Sequence, residues 1–189
     1  MIKYIFMMLF SLLSFFSTAL ASYTLNNSSI VSYVSIKKQY VLETATINTL
    51  SGSIKNDGLL DIAILPIGLN SLNPIRDKRL NELFFQSDKY PSIRVSGNVD
   101  LSKITDIPVR LTTSLDLTLL GNTRKIQVPV LVVKSGEYLS ISSTQPIIIN
   151  ARDFLIPIEN LKKLADTVGG ISISDTVPVS VSLIFTETL

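Results

Sequence analysis

The chain has 189 residues, with 17 Lys and Arg against 15 Asp and Glu, a formal net charge of +2, and neither histidine nor cysteine. So even a balance leaves no electrostatic footprint for a nucleic acid or another polyanion. Without imidazole and thiol groups, the usual ligands of metal sites and the usual bases and nucleophiles of covalent catalysis are missing, so no metal, cofactor or catalytic residue is expected.

Residues 1–21 contain one basic residue, Lys3, then an apolar core, then Ala19-Leu20-Ala21 as a small-x-small cleavage site. This pattern reads as a secretory signal peptide. A retained membrane anchor is the competing reading, but the run is near the short limit for a span and has no basic stop-transfer cluster after it. The mature chain is then 22–189, expected to be secreted. It forms one domain, large enough to bury a core without disulfide staples.

Tyr23 to Leu25 reads as a short strand, Asn26-Asn27-Ser28 as a turn and Ile30 to Ile36 as a longer strand whose inward face is ambiguous. Thr44 to Ile54 continues in strand composition, with Gly52 marking a bulge or a close backbone approach, and Asn56-Asp57-Gly58 is a hairpin turn. Alternation then becomes clear: Leu60, Ile62 and Ile64 share a face opposite Asp61.

Asn73 to Ile93 interrupts the strands with a helical insert. Asn73 caps it, Pro74 takes the first helical position, and Leu80, Leu83 and Phe84 recur at helical spacing. Arg76 and Asp77 border this stripe, and Lys78 and Glu82 form an i, i+4 pair. Either the helix plugs a barrel end with its charges solvated, or it forms a ligand portal.

Beyond the insert, Ile93, Val95, Gly97 and Val99 alternate with Arg94, Ser96, Asn98 and Asp100. Leu111 to Leu119 and Ile126 to Val132 do the same around a Gly121-Asn122 turn, and Ser135-Gly136 turns into Tyr138 to Ser143. Asn150 to Val168 changes period: Ile158, Leu161, Leu164 and Ala165 follow helical spacing and Gly169-Gly170 ends the element. The closing strand, Thr176 to Phe185, places Val177, Val179, Val181, Leu183 and Phe185 on one face.

The chain is therefore all-β with two short helices. About eight antiparallel strands, each apolar on one face, must stack as two sheets or close on themselves, and closure removes exposed edges. An eight-stranded antiparallel β-barrel is the expected fold, wide enough inside for its own side chains or for one slim ligand. The aliphatic lining suits a hydrocarbon, and a solid core fits the same residues. An outer-membrane barrel would turn its apolar face outward and carry aromatic girdles, which these strands lack. The carboxylates are sparse and form no specific acid–base pair, and no histidine is present to activate a serine, so no enzyme is expected.

Several stretches together resemble the YceI-like family of lipid- or polyisoprenoid-binding proteins. They are Tyr23-Thr24-Leu25, Ala45 to Ile54 against a GxFxxFSGxI-like pattern, Arg76-Asp77-x-Arg79-Leu80 followed by Phe84-Phe85 and Lys89-Tyr90-Pro91, Leu117 to Thr123 against LTLxGxT, Asn150 to Phe154, and the final Val-x-Val-x-Val-x-Leu strand. The resemblance implies a periplasmic, lipocalin-like barrel with a helix at its mouth and an isoprenoid chain in its interior. Arg76 and Asp77 match the family's Arg-Asp motif, and Leu80, Phe84 and Phe85 the apolar residues after it.

The chain departs from the family at three points. Ser28-Ser29 and Arg79 stand where many members have histidine. Asn150-Ala151-Arg152-Asp153-Phe154-Leu155 replaces Asn-Arg-x-Asp-Phe-Gly.

The expected ligand contacts are Arg76, Asp77, Leu80, Leu83, Phe84, Phe85, Ile62, Ile64, Ile93, Val95, Leu115, Leu117, Val130, Phe154, Val181 and Leu183. Arg76 faces a polar head group, with Asp77 orienting its guanidinium. The expected function is non-covalent carriage or storage of a polyisoprenoid, quinone or similar lipid, with a membrane-associated donor or acceptor as partner. The alternative is a ligand-free barrel that acts through its surface on an envelope partner. Oligomeric state is left open, a homodimer included.

Overall fold

A computed structural model describes residues 22–188; the expected signal peptide lies outside the described residues. Twelve strand segments form one antiparallel sheet. They are β1 (Ser22–Leu25), β2 (Ile30–Lys37), β3 (Val41–Ile47), β4 (Leu50–Ile54), β5 (Leu59–Ile64), β6 (Leu69–Asn70), β7 (Ile93–Asn98), β8 (Val109–Leu119), β9 (Asn122–Ser135), β10 (Tyr138–Ser143), β11 (Ile147–Asn150) and β12 (Thr176–Thr188).

Register reduces these segments to eight wall strands in chain order. β1 and β2 are one strand broken at Asn26 to Ser29, where the Ser29 hydroxyl accepts from the Ile184 N–H at 2.9 Å and so keeps the break paired to β12. β3 and β4 run back along them, β5 and β6 pair with β4 and β3, and β10 and β11 both pair with β12. β12 closes the wall, its first half between β11 and β2 and its second between β10 and β1. The expected eight-stranded antiparallel barrel is the fold, and its closure leaves few free strand edges.

Leu60, Ile62, Ile64, Leu115, Leu117, Val128 and Val130 are all buried on the inner face, while Asp61, Arg94, Asp116 and Lys125 pair as ions on the outer one. This orientation is the reverse of an outer-membrane barrel, where the lipid-facing side is apolar. Gly52 is a close approach across the pair with Ile62: a Cβ there would stand 2.4 Å from the Asp61 carbonyl oxygen.

The two barrel ends differ. At one, Leu25 and Leu139 lie across from Phe185 on either side, Ile54 lies across from Tyr23, and all five are almost wholly buried, forming a packed floor. At the other, two insertions fold over the opening. The first holds α1 (Pro74–Arg79), capped by the Asn73 side chain, which accepts from the Ile75 and Arg76 N–H groups. α1 continues into a wider π turn over Leu80–Phe85 that ends at Gln86 with φ 49°. The second insertion holds α2 (Ile158–Asp166).

Buried Asn160 on α2 joins the two insertions: its amide donates to the Phe84 carbonyl at 3.2 Å, and its side-chain oxygen accepts from Gln86 at 3.3 Å. α2 ends as expected, with the Gly170 N–H on the Ala165 carbonyl and both Gly169 and Gly170 at positive φ.

Candidate functional site

A cavity of about 250 Å³ lies inside the barrel. It extends from Val99 and Phe185 near the floor to Tyr33, Ser35 and Ser174 beneath the helices. Ile93, Val95, Leu111, Ile126, Val181 and Leu183 face into it and yet are only partly buried. In a filled barrel such inward aliphatic groups would be fully covered by one another. Here they border open space, and the interior is open rather than solid.

Of the expected contacts, the structure brings Ile62, Ile64, Leu80, Phe84, Phe85, Ile93, Val95, Leu115, Leu117, Val130, Val181 and Leu183 together around this cavity. The π turn explains the set from the first insertion. Ordinary helical spacing groups Leu80 with Leu83 and Phe84, whereas a turn closed by i→i+5 bonds aligns Leu80 with Phe85. Phe84 and Phe85 meet edge to face at 5.0 Å and both line the cavity, and Leu83 stands outside the lining.

Phe154 also stands outside it. The β9–β10 pairing stops at Val130 with Ser143, with one more bond from the Thr144 N–H to the Pro129 carbonyl, and β11 then follows β12 alone among the described residues. A short 3₁₀ turn, Ala151–Phe154, carries the almost fully buried Phe154 ring to the gap left in the wall beside Arg124 to Ile126. Phe154 is thus placed in the wall, between β9 and β11. The next residue, Leu155, has φ 53°, a left-handed conformation that glycine adopts without steric cost.

Arg76 and Asp77 lie behind the cavity's polar end. Glu43 holds the Arg76 guanidinium at 2.7 Å and also pairs with Lys37. Asp77 instead accepts from the Ser71 hydroxyl at 2.5 Å and the Ser71 N–H at 2.9 Å, so it fastens the start of α1 rather than the arginine. Register puts Tyr33, Ser35 and Lys37 on the inner face of β2, with Glu43 across from Ser35 on β3. Burial first, then the Asp77 charge, pushes the Tyr33 phenol well above its ordinary range, so it stays neutral. Beside the end of β2, where Ile173 bridges Lys37 and the Ser174 N–H donates to the Ile36 carbonyl, Asp175 lines the cavity and pairs with Arg152 at 2.5 Å.

Tyr33, Glu43 and Asp175 were not among the expected contacts. The signal for Tyr33 and Glu43 is faint, because β2 has apolar residues on both faces, with Ile30, Val34 and Ile36 outside and Val31 and Tyr33 inside. Asp175 sits in a loop, where period carries no information.

A closed barrel with an apolar internal cavity beneath a helical cover belongs to the class of barrels built to enclose a small apolar molecule. A sequence model of the YceI-like domain matches residues 23–185, and the chain belongs to that family. Among solved structures it is similar to a polyisoprenoid binding domain from Saccharophagus degradans implicated in plant cell wall breakdown. That domain is 26% identical, and the match covers 88% of this chain and 98% of that one at a TM-score of 0.83. BcnA of Burkholderia cenocepacia, 16% identical with 85% and 98% covered, has a TM-score of 0.65. The YceI protein of Campylobacter jejuni, 17% identical with 72% and 82% covered, has a TM-score of 0.51. The last two show the shared fold alone. No curated protein matches the chain.

Proposed function

We propose that this protein binds the tail of an isoprenoid or similar long-chain lipid non-covalently inside its barrel and carries or stores it in the periplasm. One observation bears most of the reading: aliphatic side chains from every part of the wall converge on a cavity that they do not fill. Each CH₂ group taken from water into such a lining contributes roughly 0.8 kcal/mol, so a few isoprene units offset the ordering losses of binding. The Saccharophagus degradans domain, described as polyisoprenoid binding, supports an isoprenoid over other apolar chains.

Leu80, Phe84 and Phe85 would close over the tail, and Ile62, Val95, Leu117, Val130, Val181 and Leu183 would surround it. Binding would need no covalent step. A membrane-associated donor or acceptor would meet the helical end, where Tyr40, Leu42, Leu72 and Ile75 are exposed.

Val95 tests the reading. It lies on the inner face between Ile62 and Leu117, so an indole in its place enters the cavity. Val95→Trp is expected to keep the barrel's circular dichroism and abolish uptake of an isoprenoid followed by tryptophan fluorescence or native mass spectrometry. A folded Val95→Trp protein that binds as wild type would reject the cavity as the binding site.

A further inference from the structure

We infer that the polar end of the cavity selects an uncharged oxygen head, a hydroxyl or quinone carbonyl, and rejects an isoprenoid phosphate or diphosphate. The inference rests on the tail-binding reading above and narrows its ligand class. The polar residues that line the cavity at this end are Tyr33, Ser35, Ser174 and Asp175; the Ser174 hydroxyl is turned back onto the Thr176 backbone, which leaves the hydroxyls of Tyr33 and Ser35 for a ligand. Hydroxyls donate to, and accept from, a neutral oxygen.

A phosphate needs cations that are free to turn toward it. The covered cations here are already committed, since Glu43 lies between Lys37 and Arg76 and takes both, while Arg152 pairs with Asp175 from the solvent side. Lys37, Arg76 and Glu43 are each largely covered at the side chain, so their grouping is not a loose surface pair. A diphosphate entering this end would meet the Asp175 carboxylate directly. To recruit Arg76 it would also have to pull the guanidinium from Glu43, leaving that largely covered carboxylate with Lys37 alone. A neutral head makes no such demand. The Tyr33 phenol, kept neutral by burial, offers a donor at the same place.

The experiment compares heads on one tail. Geranylgeraniol, a geranylgeranyl-substituted benzoquinone and geranylgeranyl diphosphate are each titrated into the delipidated protein at pH 7, and dissociation constants are read calorimetrically. The alcohol and the quinone are expected to bind at least tenfold tighter than the diphosphate, and the tighter of the two identifies the source of the neutral oxygen.

Glu43→Gln releases Arg76 and Lys37, so it is expected to narrow the gap between neutral and charged ligands at least threefold. Equal or tighter binding of the diphosphate by the wild-type protein would overturn the head-group inference and leave tail binding intact. Failure of all three ligands to bind would overturn tail binding itself and the inference with it.

Discussion

Tyr33 shows how a single inward position joins the apolar cavity to its charged rim. Its ring lines the interior opposite Val179 and Ala45, and its hydroxyl sits near the carboxylates of Asp77 and Glu43. Burial raises the folded-state value above the ordinary 10.0. The folded protein therefore keeps this proton at a pH where the unfolded chain has lost it. The resulting stabilisation is complete below pH 10.0 and falls as pH rises beyond it. Denaturant unfolding between pH 9 and pH 11.5 is expected to show a steeper alkaline loss of stability for the wild-type protein than for Tyr33→Phe, and identical slopes would mean the phenol is solvated. Sequence alone did not reveal this residue, because both faces of β2 are partly apolar and the stripe cannot say which one turns inward.

Among the elements, the strands were far more legible than the helices. From Leu59 onward the wall strands other than β6 and β11 alternate, and every inward set read from the sequence on β5, β7, β8, β9 and β12 faces the interior. The β-period of two leaves little freedom once one face is buried. The first helical insert was legible at its start, where Asn73 and Pro74 are local signals, and not at its end, because a π turn looks like an α-helix in sequence. Phe85, five residues after Leu80, is the residue that this change of period turns inward. The wall gap at β11 was equally hidden: it depends on where β9 stops pairing, and nothing in Ile147 to Asn150 announces that.

β12 spans both environments and allows an internal comparison. Phe185 belongs to the packed floor, whereas Leu183, two residues earlier on the same face, borders open space. Phe185→Ala is expected to cost about 3–5 kcal/mol, and Leu183→Ala about 2 kcal/mol because few atoms pack against it. Urea unfolding of both variants checks the order. Equal costs would mean that the cavity is filled by protein at Leu183.

For the whole molecule, a tight floor, a closed wall and a helical cover describe a container with one apolar compartment. Closure was foreseeable from strand count and one-sided alternation, since a sheet with one wet face per strand avoids exposed edges by joining its ends. Whether the compartment is open was not foreseeable, because the same aliphatic residues suit a solid core and a lined cavity; only the partial burial of Val95, Val181 and Leu183 separates the two. The departures from the family pattern also acquire physical meaning at this scale. Leu155 accepts a left-handed backbone where glycine is the easier choice, and Arg152 is tied to Asp175 on the cavity rim.

The central claim is that the compartment holds a lipid tail, and native mass spectrometry of the protein purified without detergent, followed by denaturation and lipid extraction, tests it most directly. The account predicts a stoichiometric adduct that releases a polyprenyl-type neutral lipid on unfolding. A single unliganded mass, unchanged after incubation with excess isoprenoid alcohol, would contradict it and leave a barrel that acts through its surface.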